Sequence, residues 1–350
     1  MTDGRIRIAL AGIGQWGPNL AYSIVTAGGE LVWLCDRDTD RLGKFAQGYP
    51  NVRTTADFAA MLTDPSVDAV VIATPTSTHH QFARAALHAG KHVFVEKPLA
   101  LTSGDANELV ELAETNQRVL LVGHVFQYNA AIRALKCFID RGELGEVLYM
   151  SFTRTNLGPV RTDVNVLFDL ATHDISIMTY LLNELPETVT ASGYSYLNPS
   201  VEDVVFAAFS FASGVAAHVH ASWLNPRKVR SIIVIGDKKM AEVDDLDLRT
   251  PIRIFDKQIK TAQPHALVGS FVEFKTTVVD GSAALPRIEI NRPLETECLH
   301  FFECIRSGQR PISDGRNGLE VVRILEAANR SLQQNSTRVH ISDQYRGFHP

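Results

Sequence analysis

A chain of 350 residues is too long for one small core, so two domains are expected. Its apolar fraction of 45% and charged fraction of 21% are those of a soluble globular protein. The formal net charge of −5 argues against a nucleic-acid binder, which needs a basic stripe to displace counterions.

No run approaches the ~20 apolar residues of a membrane helix. The start, MTDGRIRIALAGIG, passes from a short apolar run straight into a glycine turn and has no long leader core. No membrane association and a cytoplasmic location are therefore expected. Cys35, Cys137, Cys298 and Cys304 are scattered and form no CxxC pair, as befits small apolar fillers in a reducing compartment.

The first third alternates short apolar runs with helical patterns. "IRIALAG" leads into "GIGQWG" and the helical "PNLAYSIVTAG"; "ELVWLCD" precedes "TDRLGKFAQ"; "DAVVIATP" precedes "THHQFARAALHAG"; "KHVFVEKP" precedes "SGDANELVELAETN"; and "RVLLVGH" closes the series. Such alternation predicts βαβ units around a parallel sheet buried on both faces. Beyond it, "VTASGYSYL", "DVVFAAFSFA", "GVAAHVHASWL" and "KVRSIIVIG" are strand-like and have turns between them rather than helices. Helical patterns return at "ETECLHFFECIRSG" and "GLEVVRILEAANRSLQQ".

The turn Gly12-Ile13-Gly14-Gln15-Trp16-Gly17 fits G-x-G-x-x-G between a strand and a helix, with Pro18 suited to the first helical turn. The first glycine permits the tight turn, the second lets the backbone approach a pyrophosphate, and the third lets helix and strand pack closely. The second strand ends at Asp36, placed to accept hydrogen bonds from adenosine ribose hydroxyls. A carboxylate there favours NAD and repels the extra phosphate of NADP. Neighbouring Arg37 blurs this preference, because a guanidinium can pair with that phosphate, so NADP stays open.

Glu96, Lys97 and Pro98 follow the run "KHVFV", at a strand end of the kind where ligands sit in open α/β sheets. A solvated Glu-Lys pair is the other reading of that position. In "LFDLATHDISIMTYLL", Asp169 and His173 stand four apart, which on an α-helix puts them on one face, one turn apart. His218 and His220 share one side of a strand, but no third ligand stands near them, so no metal is expected.

The segments "AGIGQWGPN", "ATPTSTHH" and "EKP", continued by "GHVFQYN", "RTNLGPVRTDVNVLFDLATHD", "SWLNPRKVR", "PLETECLHFFECI" and "ISDGRNGLEVVRILEAA", resemble the Gfo/Idh/MocA family of NAD(P)-dependent oxidoreductases. The likeness covers nearly the whole chain, and its later segments are most similar to the branch acting on nucleotide sugars. The resemblance implies an α/β protein: a Rossmann dinucleotide-binding domain (residues 1–123), then a substrate-binding and oligomerisation domain (residues 124–350) built on a large, open, mostly antiparallel sheet. It also implies a homo-oligomer, a dimer or tetramer, formed through the open sheet face.

For the site, the resemblance implies that Lys97, Asp169 and His173 meet at the nicotinamide ring. Histidine titrates near neutrality and can exchange the hydroxyl proton, and a lysine ammonium can polarise the oxygen or itself carry the proton. Asp169 can orient the imidazole or hold a sugar hydroxyl. Cofactor contacts are expected from the glycine turn, Asp36, Arg37, Thr74, Pro75, His79 and Glu96, though His79 equally suits a helix-start role. Substrate contacts are expected from Tyr128, Asn129, Arg154, Arg161, Asn165 and Asp174. Arg154 through Asn165 are assigned to a polar loop whose arginines can grip a diphosphate or a uronate carboxylate. The expected activity is NAD-dependent oxidation of a ring hydroxyl of a nucleotide-activated sugar, at the third carbon. The alternative is an NADP-dependent reductase of a keto-deoxysugar nucleotide, with an NAD-dependent glycosidase and a cofactor-sensing binding protein as readings from other classes.

Overall fold

The computed structural model describes residues 4–199, 201–261 and 276–341. The first unit runs β1 (Arg7–Ala11), α1 (Gly17–Thr26), β2 (Glu30–Cys35), α2 (Thr39–Ala46), β3 (Arg53–Thr55), α3 (Phe58–Leu62), β4 (Ala69–Ile72), α4 (His79–His88), β5 (His92–Val95), α5 (Ser103–Thr115) and β6 (Leu120–Val122). Its six strands lie in the order β3-β2-β1-β4-β5-β6, with every pairing parallel. β4 is buried at all four positions, as a strand covered by helices on both faces must be. Asp38, Asp57 and Thr102 start α2, α3 and α5 by accepting hydrogen bonds from backbone N–H groups of the first turn. β3, with sequence Arg-Thr-Thr, is too short and polar to carry a readable period.

The second unit contains α6 (Ala130–Asp140), β7 (Val147–Leu157), α7 (Thr172–Leu182), β8 (Thr188–Tyr194), β9 (Val204–Ser210), β10 (Ala216–Ser222), β11 (Leu224–Gly236), β12 (Met240–Asp244), β13 (Ile252–Thr261), β14 (Thr276–Ala284), α8 (Pro293–Ser307), α9 (Gly315–Gln333) and β15 (Val339–His340). Its nine strands are ordered β14-β13-β12-β11-β7-β10-β9-β8-β15, and only the β7–β10 pairing is parallel. The strands alternate between the two faces. Met150, Phe152, Val205, Ala207, Val219 and Ile232 pack beneath α6, α7 and α9. Phe206, His218 and Ile233 lie on the other face, which no element covers among the described residues.

Two features depart from the expected layout. The supposed loop from Arg154 begins as strand: β7 runs to Leu157, and Arg154 falls in phase with Met150 and Phe152 on the covered face. An arginine at a core position hides the two-residue period. The last helices also serve both units. Cys298, Phe301 and Phe302 of α8 enter the first unit's core beside Ile8, Leu10 and Ile24. Leu319 and Val322 of α9 pack on the first sheet, while Val321, Ile324 and Leu325 pack on the second.

Candidate active site

The glycine turn has the shape a dinucleotide requires. Gly12 adopts φ +94°, and a Cβ there would lie 2.5 Å from the Ala73 carbonyl oxygen. A Cβ on Gly17 would lie 2.1 Å from the Gly12 carbonyl oxygen, so the first turn of α1 seats directly on the loop. A Cβ on Gly14 would meet no protein atom within 4 Å, which leaves open space beside that backbone. α1 starts without a side-chain cap or an acidic residue in its first turn, leaving its N–H groups and positive end for an anion.

Asp36 follows β2 and ties the turn down: its Oδ2 accepts from the Ile13 N–H at 2.7 Å and its Oδ1 from the Asp38 N–H at 2.9 Å. Each oxygen keeps lone-pair capacity for a ribose hydroxyl. Arg37, Gln15 and Trp16 are exposed around the turn. These residues fit NAD.

Thr74 and Pro75 follow β4, and the Lys97-Pro98 turn follows β5. His79 joins them: its Nδ1 lies 2.8 Å from the Pro98 carbonyl oxygen and its Nε2 2.9 Å from that of Thr74. Both nitrogens are thus engaged by protein, and burial pushes the imidazole pKa down. His79 thereby links the ends of two strands, in keeping with the structural alternative given for it at the helix start. Glu96 lies inside the turn, accepting from the Lys97 N–H at 3.3 Å and pressed against Gly123, where a Cβ would be 3.1 Å from its carboxyl. Burial pushes Glu96 up to about 7, against the opposing pull of Lys97.

Lys97 reaches across to the second unit. Its Nζ donates to the Asp169 backbone carbonyl at 2.8 Å and lies 3.7 Å from Asp169 Oδ1. Burial pushes the ammonium pKa down, opposed by Asp169 and Glu96. Asp169 also accepts from Arg161 Nη1 at 3.3 Å and from the Trp223 indole N–H at 3.1 Å. Of the two roles offered for Asp169, orienting the imidazole or holding a sugar hydroxyl, the first has no hydrogen bond behind it: none joins Asp169 to His173 among the described residues. The reason is the helix start: Leu167–Ala171 is a π-helical turn, so a four-residue spacing no longer stacks the two side chains. The imidazole instead meets the Phe126 ring edge to face, with centroids 4.9 Å apart, and its Nδ1 is buried without a hydrogen-bond partner. Burial, then Lys97 and Arg154, hold the His173 pKa well below the usual value.

The residues expected to grip substrate are mostly engaged elsewhere. Arg154, 4% exposed, donates through Nε and Nη2 to Asp174 at 2.8–3.1 Å, and Asp174 is 1% exposed. Arg161 pairs with Asp163 as well as Asp169. Tyr128 is fully buried, with its hydroxyl 3.0 Å from Ser313 Oγ. Asn129 caps α6 and bonds Asp245, and Asn165 binds Glu202 and accepts from the Phe168 N–H. Of their side chains, only that of Arg161 is hydrogen-bonded to the Lys97–Asp169 group among the described residues, while the Asn165 backbone carbonyl accepts from the Asp169 N–H at 3.1 Å. Three residues absent from the sequence-based set belong to the site: Trp223 bonds Asp169, Phe126 meets His173, and Arg230 approaches the Phe126 ring; "GHVFQYN" and "SWLNPRKVR" carry them, but neither has a period that points inward. His218 bonds Ser151 and His220 stacks on Phe206 on the open face, and no metal-binding group of side chains occurs among the described residues.

A dinucleotide cradle at the strand ends of a parallel sheet, facing a lysine, an aspartate and a histidine beneath a second, largely antiparallel sheet, is the plan of an NAD(P)-dependent oxidoreductase acting on a CH–OH group. The chain belongs to the Gfo/Idh/MocA family. Residues 6–124 match the oxidoreductase family with an NAD-binding Rossmann fold, and residues 132–242 match the GFO/IDH/MocA C-terminal domain. It is 29% identical over 329 residues to scyllo-inositol 2-dehydrogenase (NAD(+)) of Bacillus subtilis (strain 168), spanning 89% of each chain. It is 31% identical over 309 residues to 1,5-anhydro-D-fructose reductase of Ensifer adhaerens, spanning 85% of this chain and 87% of that one. It is 28% identical over 243 residues to UDP-N-acetylglucosamine 3-dehydrogenase of Acidithiobacillus ferrooxidans, spanning 69% of this chain and 75% of that one. The solved structure of that dehydrogenase superposes with a TM-score of 0.78 at 24% identity, covering 94% of this chain and 98% of that one.

Proposed function

We propose that the protein is an NAD-dependent dehydrogenase that oxidises a ring hydroxyl, at the third carbon, of a nucleotide-activated sugar. The observation that carries the catalytic part is the 2.8 Å hydrogen bond from Lys97 Nζ to the Asp169 carbonyl. It brings the lysine of the cofactor-binding unit to the helix that bears His173. The nucleotide-sugar part is supported by the similarity to UDP-N-acetylglucosamine 3-dehydrogenase.

NAD, when bound, supplies the hydride acceptor. His173 takes the hydroxyl proton as hydride leaves carbon. Its depressed pKa keeps it the neutral base, and Lys97 holds the developing negative charge on oxygen. Asp169, fixed by Arg161 and Trp223, holds the lysine ammonium in place. In this reading residues 1–123 hold the cofactor and residues 124–350 the substrate. The protein works in the cytoplasm, and its subunits pair through the open sheet face of Phe206, His218 and Ile233.

A second reading, oxidation of a free sugar or cyclitol, draws on a specific observation: Arg154 and Arg161 are both paired with carboxylates and are not waiting for a diphosphate. Nicotinamide absorbance separates the two. The purified protein is given NAD or NADP with UDP- and dTDP-sugars, inositols and free sugars, and reduced cofactor with keto-sugars. NADH formed with a UDP-sugar is the expected result. NADH formed only with inositols or free sugars moves the substrate to the second reading, and NADPH loss with keto-sugars alone replaces dehydrogenation by reduction.

A further inference from the structure

Phe126 sits in the 3-10 turn Val125–Tyr128 that carries the chain from β6 to α6. Two groups of the site meet its ring. The guanidinium carbon of Arg154 lies 4.5 Å from the ring centroid, and the His173 imidazole contacts the ring at a 72° interplanar angle. Arg230 approaches the ring to 5.8 Å. Arg154 is itself held by Asp174, the residue after His173 on α7. Asp174, Arg154, Phe126 and His173 thus form a closed chain of contacts that starts and ends on adjacent residues of one helix.

We propose that Phe126 is the positioning residue of His173, its ring gripped by the Arg154 guanidinium and its contact with the imidazole setting the direction of the proton-accepting nitrogen. The inference rests on His173 being the proton acceptor proposed above. Among the described residues no hydrogen bond holds His173 Nδ1, and Asp169 faces Lys97, Arg161 and Trp223 instead. A cation over an aromatic face draws on the ring's negative quadrupole. With that quadrupole engaged by Arg154, the ring has less to offer an imidazolium, so the arrangement favours neutral His173. The other charged or titratable groups around the imidazole act in the same direction: Lys97 after β5, His124 before the turn, Arg154 on β7 and Arg230 on β11 all disfavour its protonation. The anions Asp169 and Asp174, on its own helix, are engaged by other cations.

The test compares Phe126→Leu, which keeps apolar bulk, with Phe126→Tyr, which keeps the ring and can send its hydroxyl outward because Phe126 is only half-buried. NAD affinity, kcat, KM and the NMR titration of the His173 ring proton are measured on the full chain, with the signal assigned against His173→Asn. In the leucine variant NAD affinity is expected to stay within about twofold and kcat to fall at least about tenfold, with KM changing much less. His173 is expected to titrate closer to about 6.5 as water reaches it. The tyrosine variant is expected to restore both properties. Wild-type kcat and titration in the leucine variant, or an equal defect in the tyrosine variant, would overturn the proposal. So would cofactor binding that falls in step with turnover. The titration needs no substrate, so failure to oxidise any ring hydroxyl would count against the proposed function and leave the role of Phe126 to be judged separately.

Discussion

Lys97 joins the two halves of the site through a single side chain. It leaves the first unit at a strand end and hydrogen-bonds the backbone of the π-helical turn in the second. Lys97→Met keeps the aliphatic stem and removes the charge, so NAD binding is expected to survive while kcat falls at least about 100-fold. Cofactor titration beside steady-state turnover checks this, and wild-type turnover would end the role given to the lysine. Asp36 has two duties that a single substitution separates by ratio. Its bond to the Ile13 N–H shapes the turn for either dinucleotide, whereas its remaining acceptor capacity serves only an unphosphorylated ribose. Asp36→Ala should therefore weaken both cofactors while lowering the preference for NAD over NADP about tenfold. Equal loss for the two, read from their dissociation constants, would remove the basis for preferring NAD.

Within the first strand-turn-helix, three glycines of identical side chain do different work. Gly17 is where helix and loop touch, and an alanine methyl there would collide with the Gly12 carbonyl. Gly17→Ala should cost about 3 kcal/mol of stability, visible as a lowered melting temperature without cofactor. Gly14 faces open space, so Gly14→Ala should melt within about 0.5 kcal/mol of the parent and still bind NAD at least tenfold more weakly (roughly 1.4 kcal/mol) because the methyl occupies the pyrophosphate's approach. A Gly14 variant with unchanged affinity would mean the dinucleotide does not lie along this turn. The helix that carries Asp169 and His173 shows the converse, since its sequence spacing predicts one shared face and its π-helical first turn separates the two partners.

For the molecule as a whole, the second sheet, α7 and the crossover turn are locked by the Arg154–Asp174 pair, almost fully buried and doubly hydrogen-bonded. Breaking such a pair by removing one partner leaves an uncompensated charge in a dry site. Arg154→Met should cost about 3–5 kcal/mol at neutral pH. The deficit has a definite pH dependence. Burial already raises the folded pKa of Asp174 against the opposing pull of Arg154, and without that arginine it rises further above the unfolded value of about 3.9, so the orphaned carboxyl binds a proton in the folded state. Its loss of stability is therefore absent below about pH 4, grows as pH rises from there toward the folded pKa, and levels off above it. Denaturant melts of parent and variant at several pH values check this; a variant deficit that is flat with pH would mean that water reaches the pair. The last two helices add a second lock, since α9 packs Leu319 and Val322 on one sheet and Ile324 and Leu325 on the other.

Residue order alone was enough to recover the parallel first sheet, the shape of the glycine turn, Asp36 at the end of the second strand, and Lys97 in the turn that follows the fifth. Each of these is local: a strand, its turn and the next helix are contiguous, and the chemistry follows from a few residues in a row. The alternation of β9 and β10 was legible for the same reason. Only tertiary structure decided what long-range contacts decide. It turned Arg154 from a loop guanidinium into the buried partner of Asp174, engaged both nitrogens of His79 with carbonyls from two strand ends, and sent Tyr128 inward to Ser313. It also brought Phe126, and Trp223 with Arg230, to the site from two separate stretches of chain. A side chain's hydrogen-bonding partners depend on which elements pack together, and no spacing within one segment encodes that.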